Sequence, residues 1–241
     1  MRDGDVTTAL STIEHTKLAS LCEGIEIRGE IAQTATLKLT RGQDLWVARG
    51  CLLAYSEQVS WSLKVPGGAS KALGRMMSGE GATLLRVQPQ AGGQQVVITA
   101  NQPGKLATWD LSRGPIICTP GAFVAALGEV DIDVTVARSA GAAFFGGAGL
   151  FLQKLSGTGV VLVHAAGDFI EHHLEPGERL LVSTGNLALF SADCGYGVRG
   201  VGGCGKMLFG GEGMFMTEIT GPGWVMLRSL KKQLSQGSAH G

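Results

Sequence analysis

The chain has 241 residues and no formal net charge, because 20 lysines and arginines balance 20 aspartates and glutamates. A balanced chain lacks the basic face that duplex nucleic acid requires, so we expect no duplex-binding function. Glycine accounts for 38 residues without a Gly-X-Y period, which excludes collagen; the glycines separate short apolar runs, which argues against disorder.

The N-terminal residues, Met1-Arg2-Asp3-Gly4-Asp5, are polar and lack the apolar core of a secretory signal. A mitochondrial targeting segment is not expected there either. The longest apolar stretch without charge, residues 140–152, is shorter than the ~20 residues that cross a bilayer. We therefore expect a soluble, cytoplasmic protein without a transmembrane segment.

Three segments share one pattern: Leu-x-x-Gly, a short apolar run, a second glycine and another apolar run. They are Leu39–Ala54, Leu111–Ala125 and Leu174–Phe190. Repetition of a pattern at such a distance indicates a chain built from related structural units.

A second repeated pattern lies after each of these segments. Ala143–Val163 and Met207–Leu227 share 8 identical residues in 21 aligned positions, and Met76–Gly81 is a shorter third copy. A glycine kept in every copy indicates a positive φ or a close backbone approach, so we expect these turns to bring the units together. The repeated glycines are Gly79, Gly81, Gly147, Gly149, Gly211 and Gly213.

These repeats predict an all-β protein, with three repeated antiparallel β-units in one compact body of the double-stranded β-helix or β-sandwich type. The body spans 1–241, its units cover residues 37–104, 105–167 and 168–230, and a polar tail follows at 231–241. Each unit is too small to be stable alone.

Strands are predicted where short runs of branched apolar residues occur, and Asp131–Val136 alternates as a half-exposed strand does. Ser156–Gly159 and Thr220–Gly223 predict hairpin turns. The runs are Val96–Ile98, Ile116–Ile117, Val160–Val163 and Leu180–Val182.

Helical patterning is scarce. Ser70–Met77 is long enough for one or two helical turns. The spacing of Leu227, Leu230 and Leu234 predicts a short C-terminal helix.

Two glycine motifs resemble phosphate-binding loops. Gly200–Lys206 nearly matches G-x-x-x-x-G-K, but Met207 stands where the motif needs Ser or Thr, and no helix pattern follows. Gly195–Gly200 matches G-x-G-x-x-G without a βαβ unit around it. Neither motif predicts a nucleotide site.

The best metal candidate is His172 and His173 with Glu171 and Glu175, with His164 upstream. Adjacent histidines on a strand point to opposite faces, so a polar loop edge is the favoured interpretation. A site assembled between subunits around His172 or His173 is the alternative.

No serine, histidine and aspartate combination forms a recognisable nucleophilic site. The five cysteines have no CxxC pair and are expected to be reduced and mostly buried; a Cys194–Cys204 disulfide is the alternative. The four tryptophans are expected in the core rather than in a ligand site. The residues are Cys22, Cys51, Cys118, Cys194 and Cys204, and Trp46, Trp61, Trp109 and Trp224.

Phe209–Met216, FGGEGMFM, followed by Thr220–Leu227, TGPGWVML, resembles the closing signature of the altered-inheritance-of-mitochondria protein 24 family, and Val65-Pro-Gly-Gly is similar to another signature. The resemblance extends from about Leu37 to Leu230. It implies three related β-segments and kinship with the fold of the tryptophan RNA-binding attenuation protein. Mitochondrial members are associated with inner-membrane organisation, and no catalytic residue is implied.

The low charged fraction, 17%, indicates that part of the surface is buried between copies; a glycine-rich surface that lacks charge is the alternative. We therefore predict a non-enzymatic scaffold or interaction protein that acts as a homo-oligomer, with a protein partner of unknown identity. The alternative is a protein that binds a small ligand or single-stranded RNA between repeats or subunits. No catalytic residue, cofactor or metal ligand is assigned.

Overall fold

The computed structural model describes residues 21–66, 83–137, 150–200 and 215–231. These residues form seventeen β-strands whose pairings are all antiparallel, with short 3₁₀ helices at Leu111–Arg113 and Thr184–Asn186. The predicted all-β class is confirmed.

The N-terminal part of the chain forms a first strand, β1, and then six strands that we call the first set, β2–β7. β7 lies between β2 and β4, and β6 lies between β3 and β5. β1 extends the sheet beyond β2. The strands are β1 Gly24–Arg28, β2 Thr34–Leu39, β3 Leu45–Val47, β4 Leu52–Tyr55, β5 Val59–Lys64, β6 Leu84–Pro89 and β7 Gln94–Thr99.

The second set, β8–β11, has the same pairings in fewer and longer strands. One half of β11, residues 160–166, lies between β8 and the start of β10. The other half, residues 150–155, lies between β9 and the end of β10. The strands are β8 Gly104–Asp110, β9 Ile116–Cys118, β10 Phe123–Ala137 and β11 Leu150–Ala166.

The third set, β12–β17, repeats the pairing of the first. β17 lies between β12 and β14, and β16 lies between β13 and β15. The strands are β12 Phe169–Leu174, β13 Arg179–Val182, β14 Leu187–Ser191, β15 Gly195–Gly200, β16 Phe215–Thr220 and β17 Gly223–Arg228.

The register agrees among the sets as well. The pairing of β4, β10 and β14 with their neighbours shifts by one residue directly after Leu52, Phe123 and Leu187 respectively. These bulges give corresponding positions in the three sets, because a bulge fixes where a strand sits on its partner.

Two strand pairs join the sets. At the first junction β3 pairs with β10, with Trp46 opposite Ala126. At the second junction β9 pairs with β14, with Ile117 opposite Phe190. Ala126 lies three residues after Phe123, and Phe190 lies three residues after Leu187, so the two pairs have the same position relative to the bulges.

Each junction completes a six-stranded sheet. One runs β8-β11-β10-β3-β6-β5 and the other runs β12-β17-β14-β9-β11-β10, so the two share the long strands β10 and β11. The remaining strands form two smaller sheets, β1-β2-β7-β4 and β13-β16-β15.

Three apolar clusters form the core. The central cluster includes Trp109 and lies under the second set, and the others are centred on the first and third sets. Ile98, Ile116 and Val161 are fully or almost fully buried, so these three of the four apolar runs predicted as strands contribute to the core, whereas Leu181 in the fourth run is exposed. Asp131–Val136 lies in β10, which confirms a strand there, and the first two residues alternate as predicted, with Asp131 exposed and Ile132 buried.

The hairpin turn predicted at Ser156–Gly159 is wrong, because these residues continue through the middle of β11. Their glycines serve close strand packing instead. A Cβ at Gly157 would collide with the backbone oxygen of Glu129, and one at Gly159 with that of Leu127. The glycines therefore let β10 and β11 approach along their full length.

Thr220–Gly223 does change the chain direction, but it is not a hairpin. β16 pairs with β13 and β15, whereas β17 pairs with β12 and β14, so this corner passes between two sheets. The loop between β6 and β7 is also a corner of this kind.

The predicted C-terminal helix is not formed by its described residues. Leu227 lies in β17, between β12 and β14, and Leu230 lies in a bend. Backbone pairing on both sides of β17 overrides the helical spacing of the leucines. Leu234, the helix predicted at Ser70–Met77 and the six repeated glycines lie outside the described residues.

Candidate functional site

Two strands, β4 and β13, differ from their counterparts in the other sets. At the junctions, β10 and β14 pair with a strand of the preceding set, and β3 and β9 pair with a strand of the following set. Among the described residues, β4 has no such preceding partner and β13 no such following partner. Both strands are therefore sheet edges.

Apolar side chains on these edges are exposed. Leu53 and Tyr55 of β4 are 58% and 47% exposed, and Leu181 of β13 is 46% exposed. At the junctions the positions that correspond to Tyr55 are Ala126 and Phe190, and both are fully buried or nearly so. The exposure therefore accompanies the missing partner strand, not the position itself.

The second junction contains a buried arginine. Arg228 lies in β17, is 2% exposed and donates to the backbone oxygen of Leu187 at 2.8 Å and to Thr119 Oγ1. Thr119 in turn donates to the backbone of the third set, with its Oγ1 2.7 Å from the oxygen of Leu187. This network holds the loop after β9 against the start of β14.

The first junction has His164 at the position of Arg228. His164 lies in β11 and is 3% exposed, and Ala48 takes the position of Thr119. Here the sets enclose a cavity of about 410 Å³, within the usual range for small-ligand sites. Its lining comes from the first set (Ala48, Arg49, Cys51, Leu84, Ala100, Asn101 and Gln102) and the second set (Gly121, Phe123, Val124, Gln153 and His164).

The polar groups in the cavity are cationic or neutral. Arg49, Asn101 and Gln102 are exposed at its rim, while Gln153 and His164 are buried. The buried side-chain oxygen of Gln153 has no hydrogen-bond partner among the described residues. No carboxylate belongs to the described lining, so the cavity is suited to a ligand that accepts hydrogen bonds or carries a negative charge near Arg49 and donates a hydrogen bond to the oxygen of Gln153.

The histidines considered as metal ligands lie on β12. The imidazole of His173 packs edge-on against Trp224, with ring centroids 4.7 Å apart, and its Nδ1 is 3.8 Å from Glu175 Oε1. His172 and His173 pair with Val225 and Trp224 of β17, and His164 lies in β11. In the described ranges no three metal-ligating side chains come together.

Four of the cysteines are described, and all four are buried without a disulfide among these residues. Burial raises the pKa of the Cys22 and Cys194 thiols, which opposes activation as a nucleophile. Cys204, the proposed partner of Cys194, lies outside the described residues, as does most of Gly200–Lys206. Gly195–Gly200 forms strand β15 and begins no helix.

The tryptophans only partly follow the expectation of core packing. Trp109 is buried, and Trp46 and Trp224 pack against the same cluster. Trp61 is exposed on β5, where its Nε1 donates to Tyr55 Oη at 3.1 Å. The expectation was wrong for Trp61, because β5 is the last strand of its sheet.

The family described as Mitochondrial biogenesis AIM24 matches residues 25–230. The chain belongs to this family. The match includes all three sets of strands and both junctions, and it confirms the family suggested by the motif that ends in β17.

A solved structure supports the fold of this family member. The crystal structure of protein SPYM3_0169 from Streptococcus pyogenes is similar with a TM-score of 0.70 and 21% sequence identity. The similarity covers 86% of this chain and 94% of that chain. No curated protein matches the sequence. No helix within the described residues is long and apolar enough to cross a membrane.

Sequence reasoning did not find the features that distinguish the junctions. His164 entered only as a distant metal candidate, and Arg228 and Gln153 drew no attention. Aligning the segments from the bulges would have placed Thr99, His164 and Arg228 in one column. A neutral, a titratable and a cationic side chain at one repeated position is a signal that the junctions differ.

Proposed function

We propose that this protein is a non-enzymatic scaffold or interaction protein that acts as a homo-oligomer, formed through its open sheet edges. The observation that carries the proposal is the exposure of Leu53, Tyr55 and Leu181 at positions whose counterparts are packed at the junctions. Exposed apolar side chains on an unpaired edge favour association with another strand.

The oligomer in turn rests on an architecture that we also propose: three pseudo-repeats, covering roughly residues 37–104, 105–167 and 168–230. The common pairing pattern, the corresponding bulges and the equivalent junctions support it. A location in the cytoplasm stays a prediction of the sequence.

Light scattering across a concentration series tests the oligomer. We expect the natural chain to have a multiple of its monomer mass of 25.0 kDa. Leu181→Lys places a charge on the edge and should shift the mass towards the monomer without lowering the melting temperature, because the side chain is already exposed. A natural chain that is monomeric at every concentration would overturn the proposal.

A matched control is available on β12. Ile170 is 45% exposed and apolar like Leu181, but it is not on β4 or β13. Ile170→Lys should leave the mass unchanged. If both lysine variants dissociate the oligomer equally, a general loss of surface hydrophobicity explains the effect and pairing through β4 and β13 does not.

The cavity supports a second candidate function, the binding of a small ligand between the first and second sets. The buried oxygen of Gln153, without a partner among the described residues, favours it. A thermal-shift screen of small amides, and of carboxylates and phosphates that also carry an N–H or O–H donor for the oxygen of Gln153, is the test, because a ligand that binds the folded state raises the melting temperature.

Gln153→Met separates ligand binding from stability. Replacing a buried amide whose oxygen is unsatisfied by an apolar group of similar size should stabilise the empty protein by about 1 kcal/mol. The same change should abolish the ligand-induced shift. A shift that is equal in Gln153→Met and the natural chain would place the ligand elsewhere.

A further inference from the structure

We propose that β4 of one copy pairs with β13 of a second copy of this chain, in the register that joins the sets inside each chain. The inference rests on the proposed homo-oligomer and specifies its contact. It makes the interface head-to-tail, with the first set of one copy meeting the third set of the next.

The smaller sheets are the first reason. Without β1, the sheet β2-β7-β4 corresponds to one half of each six-stranded sheet, and β13-β16-β15 corresponds to the other half. The chain therefore contains two complete six-stranded sheets, and each half of such a sheet occurs once more on its own. Pairing β4 with β13 joins the halves into a third sheet of the same construction.

Only these two edges are singled out by the comparison. β8 and β5 are the outermost strands of one complete sheet, and β12 and the end of β10 are the outermost strands of the other. Outer edges at these positions thus occur in both complete sheets, whereas the strands that correspond to β4 and β13 are paired wherever a neighbouring set exists in the chain.

The bulges fix the register of the proposed pair. Ala54 corresponds to Ala125, which lies opposite Val47, and to Leu189, which lies opposite Cys118. The position of Val47 and Cys118 is taken in β13 by Val182. Ala54 should therefore lie opposite Val182 of the second copy.

Moving along the antiparallel pair places Tyr55 opposite Leu181 and Glu57 opposite Arg179. The first contact would bury two apolar side chains that are about half exposed in the single copy. The second would place opposite charges face to face, since Arg179, the first residue of β13, and Glu57, in the turn two residues after β4, are both exposed. Apolar and charge complementarity thus occur in one register.

A polar group at the end of β13 is also left incomplete. Ser183 corresponds to Thr119, whose hydroxyl receives Arg228 at the second junction. The side-chain oxygen of Ser183 is buried and has no hydrogen-bond partner among the described residues. At the junctions, the backbone amides of Ala48 and Thr119 donate across to Val124 and Ala188. The amide of Ser183 should likewise donate to Leu53 of the second copy.

A contact between different surfaces of identical chains can be repeated from copy to copy. It produces a closed ring if the rotation closes and a filament if it does not. Both assemblies contain the same strand pair, so the test addresses the pair directly.

The test is a disulfide between strands of different copies. In an antiparallel sheet, paired residues have Cα atoms about 4.5 to 5.5 Å apart, within the about 4.4 to 6.8 Å that a disulfide spans. Under mild oxidation, the double variant Tyr55→Cys/Leu181→Cys should form covalent multimers on non-reducing gels. Each single variant should not, and a mixture of the two singles should stop at the covalent dimer.

The matched control is Leu63→Cys/Leu181→Cys. Leu63 is 51% exposed and lies on β5, so it presents an equally accessible thiol away from β4. We expect at least a tenfold lower covalent yield. Equal yields in both double variants would overturn the proposed register, because they would show random collision.

Two further outcomes separate this inference from the proposed function. If light scattering finds an oligomer but neither the double variant nor the mixed singles cross-link, the homo-oligomer stands and the β4–β13 pair is wrong. If the double variant closes a disulfide within one chain, the edges pair internally and the inference is overturned. The mixture of singles provides the answer even if the double variant does not fold.

Discussion

The two junctions inside this chain use one backbone arrangement and fill it differently. At the second junction, Arg228 crosses from β17 to Thr119 and to the backbone of Leu187. At the first junction, His164 takes the place of Arg228 and Ala48 that of Thr119, and a cavity of about 410 Å³ lies between the sets. The strand pairing is equivalent in both.

This difference shows that the backbone pairing, and not the side chains at the junction, determines how neighbouring sets are arranged. Backbone pairing and bulges agree in register, so they are sufficient to place the neighbouring sets. The side chains at the junctions differ: one junction is filled by a hydrogen-bonded network, and the other borders a cavity. A site specific to one junction can therefore arise without disturbing the repeated frame.

The largest effect is expected from removing the side chain of Arg228 and its hydrogen bonds at the second junction. Arg228→Met should destabilise the protein by about 3 kcal/mol, because buried oxygen acceptors lose a charged donor. His164→Leu, at the corresponding position, should cost only about 1 kcal/mol, since its side chain borders a cavity that can accommodate the change. Urea unfolding measures both, as shifts of the midpoint at constant m.

Equal losses in the two variants would contradict the comparison, since they would mean that both junctions are packed alike. Arg228→Lys provides the control for charge. Lysine keeps the positive charge but cannot reproduce the fork of donors, so it should recover less than half of the loss.

Corresponding glycines sharpen the comparison further. Gly104, the first residue of β8, and Gly167, two residues before β12, hold equivalent positions, and each lies close to the residues around the junction residue, His164 or Arg228. A Cβ at Gly104 would collide with the backbone oxygen of Ala165 and lie 2.7 Å from His164 Nε2. A Cβ at Gly167 would collide with the hydroxyl of Ser229, which can rotate away only by losing the hydrogen bond that it accepts from the amide of Asp168. The φ of +72° at Gly167 also disfavours a side chain.

We therefore expect Gly104→Ala to cost about 2 to 3 kcal/mol and Gly167→Ala about 1 to 2 kcal/mol, because backbone cannot move aside as a hydroxyl can. Thermal unfolding distinguishes them. Gly24→Ala is the control, since no atom lies within 4 Å of a Cβ there. A larger loss for Gly167→Ala would show that backbone conformation outweighs the collision.

Much of the fold could be predicted from the sequence, because strand patterns are local. The runs around Ile98, Ile116 and Val161 became buried strands as expected. The errors arose where glycine has two uses. Ser156–Gly159 has the composition of a turn, but its glycines allow close approach of β10 within a straight strand. Composition alone does not distinguish a turn from a close approach.

The candidate sites could not be predicted from the sequence, for a different reason. The cavity brings Arg49 and Asn101 of the first set to Gln153 of the second, and such proximity depends on strand register. The open edges become visible only when β4 and β13 are compared with strands that have partners. The expectation of a surface buried between copies, drawn from the low charged fraction, stays a prediction.

The smallest effect is expected at the proposed junction between copies. If Glu57 lies opposite Arg179 of a second copy, reversing either charge should weaken association. An opposite-charge pair facing across two strands contributes about 0.2 to 1 kcal/mol, which corresponds to a change of roughly 1.4- to fivefold in the association constant. Sedimentation at low salt measures this constant.

The charge-swapped chain Glu57→Arg/Arg179→Glu provides the decisive comparison. It should recover the association of the natural chain, because every contact between copies again joins opposite charges. The association of each single variant should also become stronger as salt rises, since screening removes the repulsion between like charges.

The two junctions inside the chain contain no such charge pair. Gly128 lies at the position of Glu57 in the first junction, and Pro115 lies at the position of Arg179 in the second. A double variant that associates no better than the singles would show that Glu57 and Arg179 do not face each other. The head-to-tail register would then have to be abandoned, while the two internal junctions would be unaffected.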